Sequence, residues 1–293
     1  MAKDMTSGKP LKLIWNFTIP LLIGNLFQQL YNMADTFIVG RTIGVQALAA
    51  VGSTGSIVFL IIGFATGLTA GLAIPLAQRF GAKDYKGVKH SFYVSILISI
   101  AVAIVLTALS MIFCRQILEI MQTPSEIIDG AYDYLIVIFG GIFSSMAYNL
   151  LSNIFRSIGD AKTPLYFLVM ACVMNIILDI VFIAVFGMGV EGAGYATVLS
   201  QIFSAVACVV YIWNKIPVLR LTKEDLVATK RNIREHCRIS FPMAFQASII
   251  AIGTIMVQIA LNQLGPTSVA AHTAAQKIDQ LAILPMMSFG VTM

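Results

Sequence analysis

Polar side chains recur along one face of a segment that is otherwise apolar. Residues 24–35, GNLFQQLYNMAD, place Asn25, Gln28, Asn32 and Asp35 at intervals of three to four residues. On an α-helix this spacing brings the four side chains to the same face. The pattern predicts a helix that carries a polar stripe ending in a carboxylate.

A second carboxylate is accompanied by amide and hydroxyl groups. Asn175 precedes Asp179 by four residues in one apolar run, and Thr197 lies in the next run. An anionic carboxylate in hydrocarbon costs a few kcal/mol unless it faces water, a partner or a bound ion. Such a carboxyl can take up a proton on one side of a membrane and release it on the other. Oxygens of Asn175, Thr197 and a backbone carbonyl around Asp179 could instead bind Na⁺, so both ions stay open.

The composition shows which solvent surrounds these groups. Of the 293 residues, 58% are hydrophobic and 11% are charged, whereas about 25% are charged in a soluble domain. We therefore expect an integral membrane protein.

The net charge of +5 is spread over short connections between apolar runs, so we expect no nucleic-acid partner. The four cysteines lie far apart without CxxC spacing, and we expect neither a zinc site nor any other cofactor.

Apolar windows of about 20 residues define the predicted elements. They predict seven complete spans and the start of an eighth, near residues 13–39, 47–77, 92–113, 131–155, 165–186, 193–213, 239–263 and from 268 onward. The runs lack the alternation of an outer-membrane β-barrel strand. The predicted fold is an all-α membrane protein.

Basic residues collect in alternate connections and predict the orientation. Seven Lys or Arg residues fall between positions 215 and 238, whereas the opposite set of connections contains only Arg41 and Arg115 alongside several acids. Short basic loops stay on the cytoplasmic side. We therefore expect a cytoplasmic amino terminus and a multi-pass protein of the bacterial inner (plasma) membrane.

The first and seventh predicted spans repeat a pattern. TIPLLIGNLF aligns with SFPMAFQASI through Pro20 and Pro242, which suggests a duplicated six-span unit with both copies in the same direction. We predict an amino-terminal six-span lobe over 1–214, a basic linker over 215–238 and the start of a second, parallel lobe over 239–293. On this basis we expect the chain to be a fragment of a twelve-span protein, with spans nine to twelve outside the given sequence.

Three structural alternatives accompany the candidate residues. Asp35 could be a hydrated residue near a helix end, and Asn175 with Thr197 could simply hydrogen-bond between helices. The Asn25, Gln28 and Asn32 stripe could hold helices together instead of lining a substrate cavity. Pro20 predicts a kink with some hinge character, because it removes a backbone hydrogen bond in mid-span. Lys277 in the last run has no acid one helical turn away and would need a partner elsewhere.

Three motifs resemble those of the multidrug and toxic compound extrusion (MATE) transporters. They are NMADTFIVGRTIGVQALAAVG at residues 32–52, FRSIGDAKTPL at 155–165 and EGAGYATVLSQ at 191–201. The resemblance covers the whole chain as an amino-terminal lobe plus the start of the carboxy-terminal one.

The resemblance implies export of cationic, amphipathic compounds in exchange for H⁺ or Na⁺ by alternating access. By motif, Asp35 matches the first-span acid, Asn175 and Asp179 match the N-x-x-x-D of the fifth span, and Thr197 matches the sixth-span threonine. Pro20 matches the proline where the first helix is proposed to bend. The seventh span here lacks the glutamate of one sodium-linked branch, which favours coupling through the amino-terminal acids.

Other functions fit the residues less well. A lipid-linked oligosaccharide flippase of the same broad superfamily should line its cavity with more cations. An enzyme is not expected, because His90, His236 and His272 are isolated from any nucleophile or metal-ligand pattern. The expected partners are small organic cations and membrane lipids, and the full-length protein is expected to be a monomer.

Overall fold

The fold is helical throughout the part of the chain that the computed structural model describes, which is residues 9–121, 123, 125–263, 279 and 282–292. The long helices are α1 (Pro10–Thr42), α2 (Val45–Gly81), α3 (Tyr85–Ile120), α4 (Ile128–Gly140), α5 (Ile142–Ser157), α6 (Lys162–Asp179), α7 (Val190–Lys215), α8 (Lys230–Gln263) and α9 (Ala282–Thr292). No strand occurs in these residues. The predicted all-α class is confirmed.

Most helices are long and apolar enough to cross a bilayer. Within the described residues five qualify by length and composition, namely α1, most of α2, α3, α6 with its π-helical continuation, and α7. The pair α4 and α5 would make a sixth. The predicted seventh span coincides with α8, which is not one of these five. Lys277 and its neighbours His272, Gln276 and Gln280 lie outside the described residues.

The predicted span at 131–155 is not one continuous helix, which corrects the sequence prediction. Instead, α4 and α5 meet at Gly140 and Gly141 with a bend of 48°. A Cβ atom at Gly141 would collide with Val198 of α7, so this position brings two helices unusually close. Two adjacent glycines favour the bend because they lack the side chains that stiffen a helix.

The predicted span at 165–186 changes its winding part-way along. It is α-helical as far as Asp179 and continues as a π-helix over Ile180–Val185. A π-helix closes i→i+5 hydrogen bonds, so it rotates the following side chains relative to an α-helix. The change in winding begins at one of the predicted site residues.

Helix α2 forms most of the contact between the preceding helices and α8. Two glycines one helical turn apart allow this close approach. A Cβ atom at Gly71 would lie 2.5 Å from Ser240 Cα, and one at Gly67 would lie 2.6 Å from the Met243 carbonyl oxygen. At the end of this contact, Arg79 forms a 2.9 Å ion pair with Glu235. We call this end, where α1 begins and α2 ends, the basic end.

A short segment after α7 covers part of the basic end. It contains two 3₁₀ turns, Pro217–Leu219 and Lys223–Asp225. The Asp225 carboxylate accepts hydrogen bonds from the backbone N–H and hydroxyl of Thr222 at 2.9 and 2.7 Å. It also forms a 3.0 Å ion pair with Lys89 of α3. The Thr222 hydrogen bonds stabilise the turn, and the Lys89 ion pair connects the segment to α3.

Candidate ion-exchange site

Two carboxylates from different helices meet inside the bundle. Asp35 of α1 and Asp179 of α6 are within hydrogen-bonding reach of each other. The Asp179 side chain is fully buried. The Oδ1 atom of each carboxyl is buried and has no hydrogen-bond partner among the described residues. Two adjacent carboxylates repel each other when both are ionised, so the pair favours a shared proton or a bound cation.

Asn175 connects Asp179 to α7. Its side chain is fully buried, and one amide orientation satisfies both of its neighbours. In that orientation the nitrogen donates to Asp179 Oδ2 at 3.0 Å, and the oxygen accepts from the backbone N–H of Thr197 at 3.1 Å. The amide therefore donates to the carboxylate and fixes its position relative to α7.

A tyrosine ring of α1 completes the cluster. Tyr31 lies one helical turn before Asp35, and its hydroxyl is 3.1 Å from Thr197 Oγ1. The hydroxyl of Tyr134 in α4 is close enough to both carboxyls to interact with them electrostatically. The structure thus gathers Tyr31, Asp35, Tyr134, Asn175, Asp179 and Thr197 in one place, which we call the carboxylate cluster.

Sequence reasoning missed the two tyrosines. A phenol is compatible with apolar surroundings, so a tyrosine within a span does not stand out as an amide or an acid does. For Tyr31 a signal was available, because it lies four residues before Asp35 and therefore shares its face. For Tyr134 the sequence contains no comparable spacing.

The hydrogen bonds of Asn25 and Gln28 in α1 go to residues other than those of the carboxylate cluster. Asn25 donates a 3.1 Å hydrogen bond to Ser288 of α9, so in this structure it joins two helices. Gln28 is exposed and its amide nitrogen lies 3.5 Å from Asn32 Oδ1. Gln28 also lines, with Tyr31, a small cavity of about 30 Å³ between α1, α5, α6 and α7. That volume is about the size of one water molecule.

Pro20 lies within α1, which remains helical on both sides of it. Pro242, with which it aligns in the sequence, lies within α8. Contacts to α9 occur on either side of Pro20. The Thr18 hydroxyl donates to Thr292 Oγ1 at 2.9 Å, and Asn25 contacts Ser288 as described above.

When both are ionised, the two carboxyls of the cluster place two negative charges side by side. Within the part of the chain that the structure describes, no Lys, Arg or His forms an ion pair with Asp35 or Asp179. The ion pairs that do occur involve residues at the two ends of the bundle. Among the described residues nothing neutralises the ionised pair, so a proton, a bound ion, a ligand or a group outside these residues would have to do so.

Comparison with known proteins connects this chain to transporters. The family model MatE matches residues 20–181. The probable multidrug resistance protein YpnP of Bacillus subtilis (strain 168) is 30% identical over 295 residues, covering 99% of this chain and 64% of the relative. The chain therefore spans a little under two thirds of that relative's length.

Two solved structures have the same fold. A MOP superfamily transporter from Pyrococcus furiosus Vc1 matches with a TM-score of 0.91 at 28% identity, over 99% of this chain and 64% of that one. An outward-facing multidrug resistance MATE family transporter of the MOP superfamily matches with a TM-score of 0.90 at 28% identity, over 97% of this chain and 63% of that one.

Proposed function

We propose that this chain, which belongs to the MatE family of membrane transporters, exports small organic cations in exchange for H⁺ by alternating access. The observation that carries the proposal is the contact between the Asp35 and Asp179 carboxyls, each with a buried oxygen that lacks a partner among the described residues. Such a pair can bind one positive charge and release it when the surroundings change.

The orientation of the Asn175 amide would differ between the two candidate ions. A sodium ion beside Asp179 would need the amide oxygen of Asn175 directed toward it, since cations of this kind bind oxygen ligands. In the orientation that satisfies both neighbours, the amide nitrogen faces Asp179 and the oxygen faces α7. A proton shared by the two carboxyls needs no such rearrangement. Sodium held by Asp179, Asn175 and Thr197 is the second candidate.

The charge on the cluster also supports a cationic substrate. A cation is attracted to the two carboxylates after they lose their proton, and protonation releases it. Competition between proton and substrate for the same negative charge couples their opposite movements. We infer that the basic end, where α2 contacts α8, lies on the cytoplasmic side and is closed in the present state.

The test is transport by the full-length protein in proteoliposomes. Uptake of a fluorescent organic cation is measured under an imposed pH gradient, an imposed Na⁺ gradient, or neither. We expect the pH gradient to drive uptake and Asp179→Asn to abolish it. Transport driven only by Na⁺ would establish the second candidate, and transport that responds to neither gradient would refute ion exchange.

The matched control is Asp129→Asn. This acid lies at the other end of the bundle, where its side chain is 81% exposed and 3.7 Å from Arg115. The substitution removes the same charge without touching the cluster, so it should leave gradient-driven uptake unchanged. Equal losses in both variants would show that the effect of Asp179→Asn is not specific to the cluster.

A further inference from the structure

An apolar groove opens on the side of the bundle formed by α3, α5 and α7. It encloses about 300 Å³, and α8 and the carboxylate cluster contribute nothing to its lining. Phe143 of α5 and Val209 of α7 each leave 53% of their surface exposed there. In a membrane protein such a surface faces hydrocarbon, so the groove is open to lipid acyl chains.

The groove ends at the basic end of the bundle. Leu219 and Leu221, from the segment after α7, close it there. Trp213 stands at its rim and is 63% exposed. Tryptophan is enriched at the level of lipid headgroups, because one part of its ring is apolar and the indole N–H is polar. The rim of the groove therefore lies where a lipid changes from acyl chain to headgroup.

Two cations lie within two residues of the rim along the chain. Arg220 is between the two leucines that close the groove, and Lys215 follows Trp213 by two residues. Both are exposed, and neither forms an ion pair with a described acid. Among the described residues, the Arg220 side chain donates one hydrogen bond, to the Asn214 carbonyl oxygen at 3.2 Å. By contrast, nearby Lys89 is already paired with Asp225.

We propose that the groove binds one anionic phospholipid, with an acyl chain between α3, α5 and α7 and the phosphate at Lys215 and Arg220. Charge complementarity selects this occupant, since exposed basic residues beside a membrane attract anionic headgroups. The same cations would repel the organic cations proposed above as substrates. The inference does not rest on transport, and it holds whichever ion is exchanged.

The test uses bilayers of phosphatidylcholine that contain a small fraction of lipid with brominated acyl chains, which quench nearby tryptophan fluorescence. This chain has two tryptophans, so Trp15→Phe, with any tryptophan elsewhere in the full-length protein also replaced by phenylalanine, leaves Trp213 as the reporter. We expect brominated phosphatidylglycerol to quench Trp213 severalfold more than the same fraction of brominated phosphatidylcholine. Lys215→Gln combined with Arg220→Gln should remove this preference.

A bulky side chain placed in the groove gives a second variant. Ala147 of α5 is half-buried and lines the groove, so Ala147→Phe should fill part of it and reduce quenching by both lipids. The control Ala101→Phe adds the same ring at an exposed position of α3 outside the lining. Equal quenching by both headgroups, or equal effects of the two phenylalanine variants, would overturn the proposal.

Discussion

At the scale of single residues, the hydroxyl of Tyr31 is the part of the carboxylate cluster that is simplest to remove. Tyr31→Phe deletes its hydrogen bond to Thr197 and keeps the ring. A hydrogen bond of this kind contributes about 1 kcal/mol, so we expect a roughly fivefold loss in the rate of proton-driven uptake, without its abolition. Proteoliposome uptake at several imposed pH gradients measures this. Tyr195→Phe, an exposed tyrosine of α7, is the control, and equal rates in the two variants would contradict the prediction.

The individual residues of the cluster differ in how far the sequence predicts them. Asp35, Asn175, Asp179 and Thr197 stand out because polar groups in apolar runs are costly and rare. Their convergence needed the structure, since three helices supply them and spacing within one helix says nothing about its neighbours. The roles of Asn25, Gln28 and Asn32 as cavity residues remain a prediction, and Asn25 contacts another helix in this state.

At the scale of helices, the contact of α2 with α8 depends on the absence of side chains. Gly71→Ala would place a Cβ atom 2.5 Å from Ser240 Cα, and backbone at that distance cannot yield without separating the helices. Overpacking of this kind costs about 1–3 kcal/mol, so we expect a lower unfolding temperature in detergent. Gly55→Ala is the control because a Cβ there meets nothing within 4 Å. It should leave the midpoint unchanged or raise it, since alanine favours helix. A similar drop in both variants would refute the packing argument.

The segment after α7 should show a pH dependence of its own. Hydrogen bonds from the Thr222 hydroxyl and backbone N–H, together with Lys89, lower the pKa of Asp225 from 3.8 to about 2. Because the pKa is lower in the folded state, the stabilisation is present above the unfolded value and is lost as pH falls from about 4 toward 2. Asp225→Asn should therefore weaken the fall of the unfolding temperature across that window. Glu224→Gln, the adjacent exposed acid, is the control and should preserve the wild-type profile.

The sequence predicts where the helices lie better than it predicts their irregularities. Long apolar runs must be helical in a bilayer, because only a helix satisfies its backbone groups internally. That argument does not detect irregular winding, so the π-helix after Asp179 has no counterpart in the sequence prediction. The bend between α4 and α5 had a signal in Gly140 and Gly141, but a hydropathy window averages over such a pair.

At the scale of the whole molecule, Arg79 and Glu235 connect the bundle to α8 at the basic end. Arg79→Gln removes this partly exposed ion pair, which is worth up to about 1 kcal/mol. We expect the population with this end separated to rise by up to about fivefold. Spin labels at Lys86→Cys and Arg231→Cys, in a background without native cysteines, measure the distance distribution. Arg115→Gln, which removes ion pairs at the opposite end, should leave that distribution unchanged, and an unchanged distribution in Arg79→Gln would contradict the expectation.

The contacts of α9 restrict how α1 can move. Thr18 and Asn25 lie on either side of Pro20, and they bind Thr292 and Ser288, which are one turn apart on α9. A bend at Pro20 would shift one of these contacts relative to the other. Helix α1 can therefore bend at Pro20 in this state only if α9 moves with it or if one of the two hydrogen bonds breaks. A bend of α1 at Pro20 would therefore change its contacts with a helix more than 240 positions later in the chain.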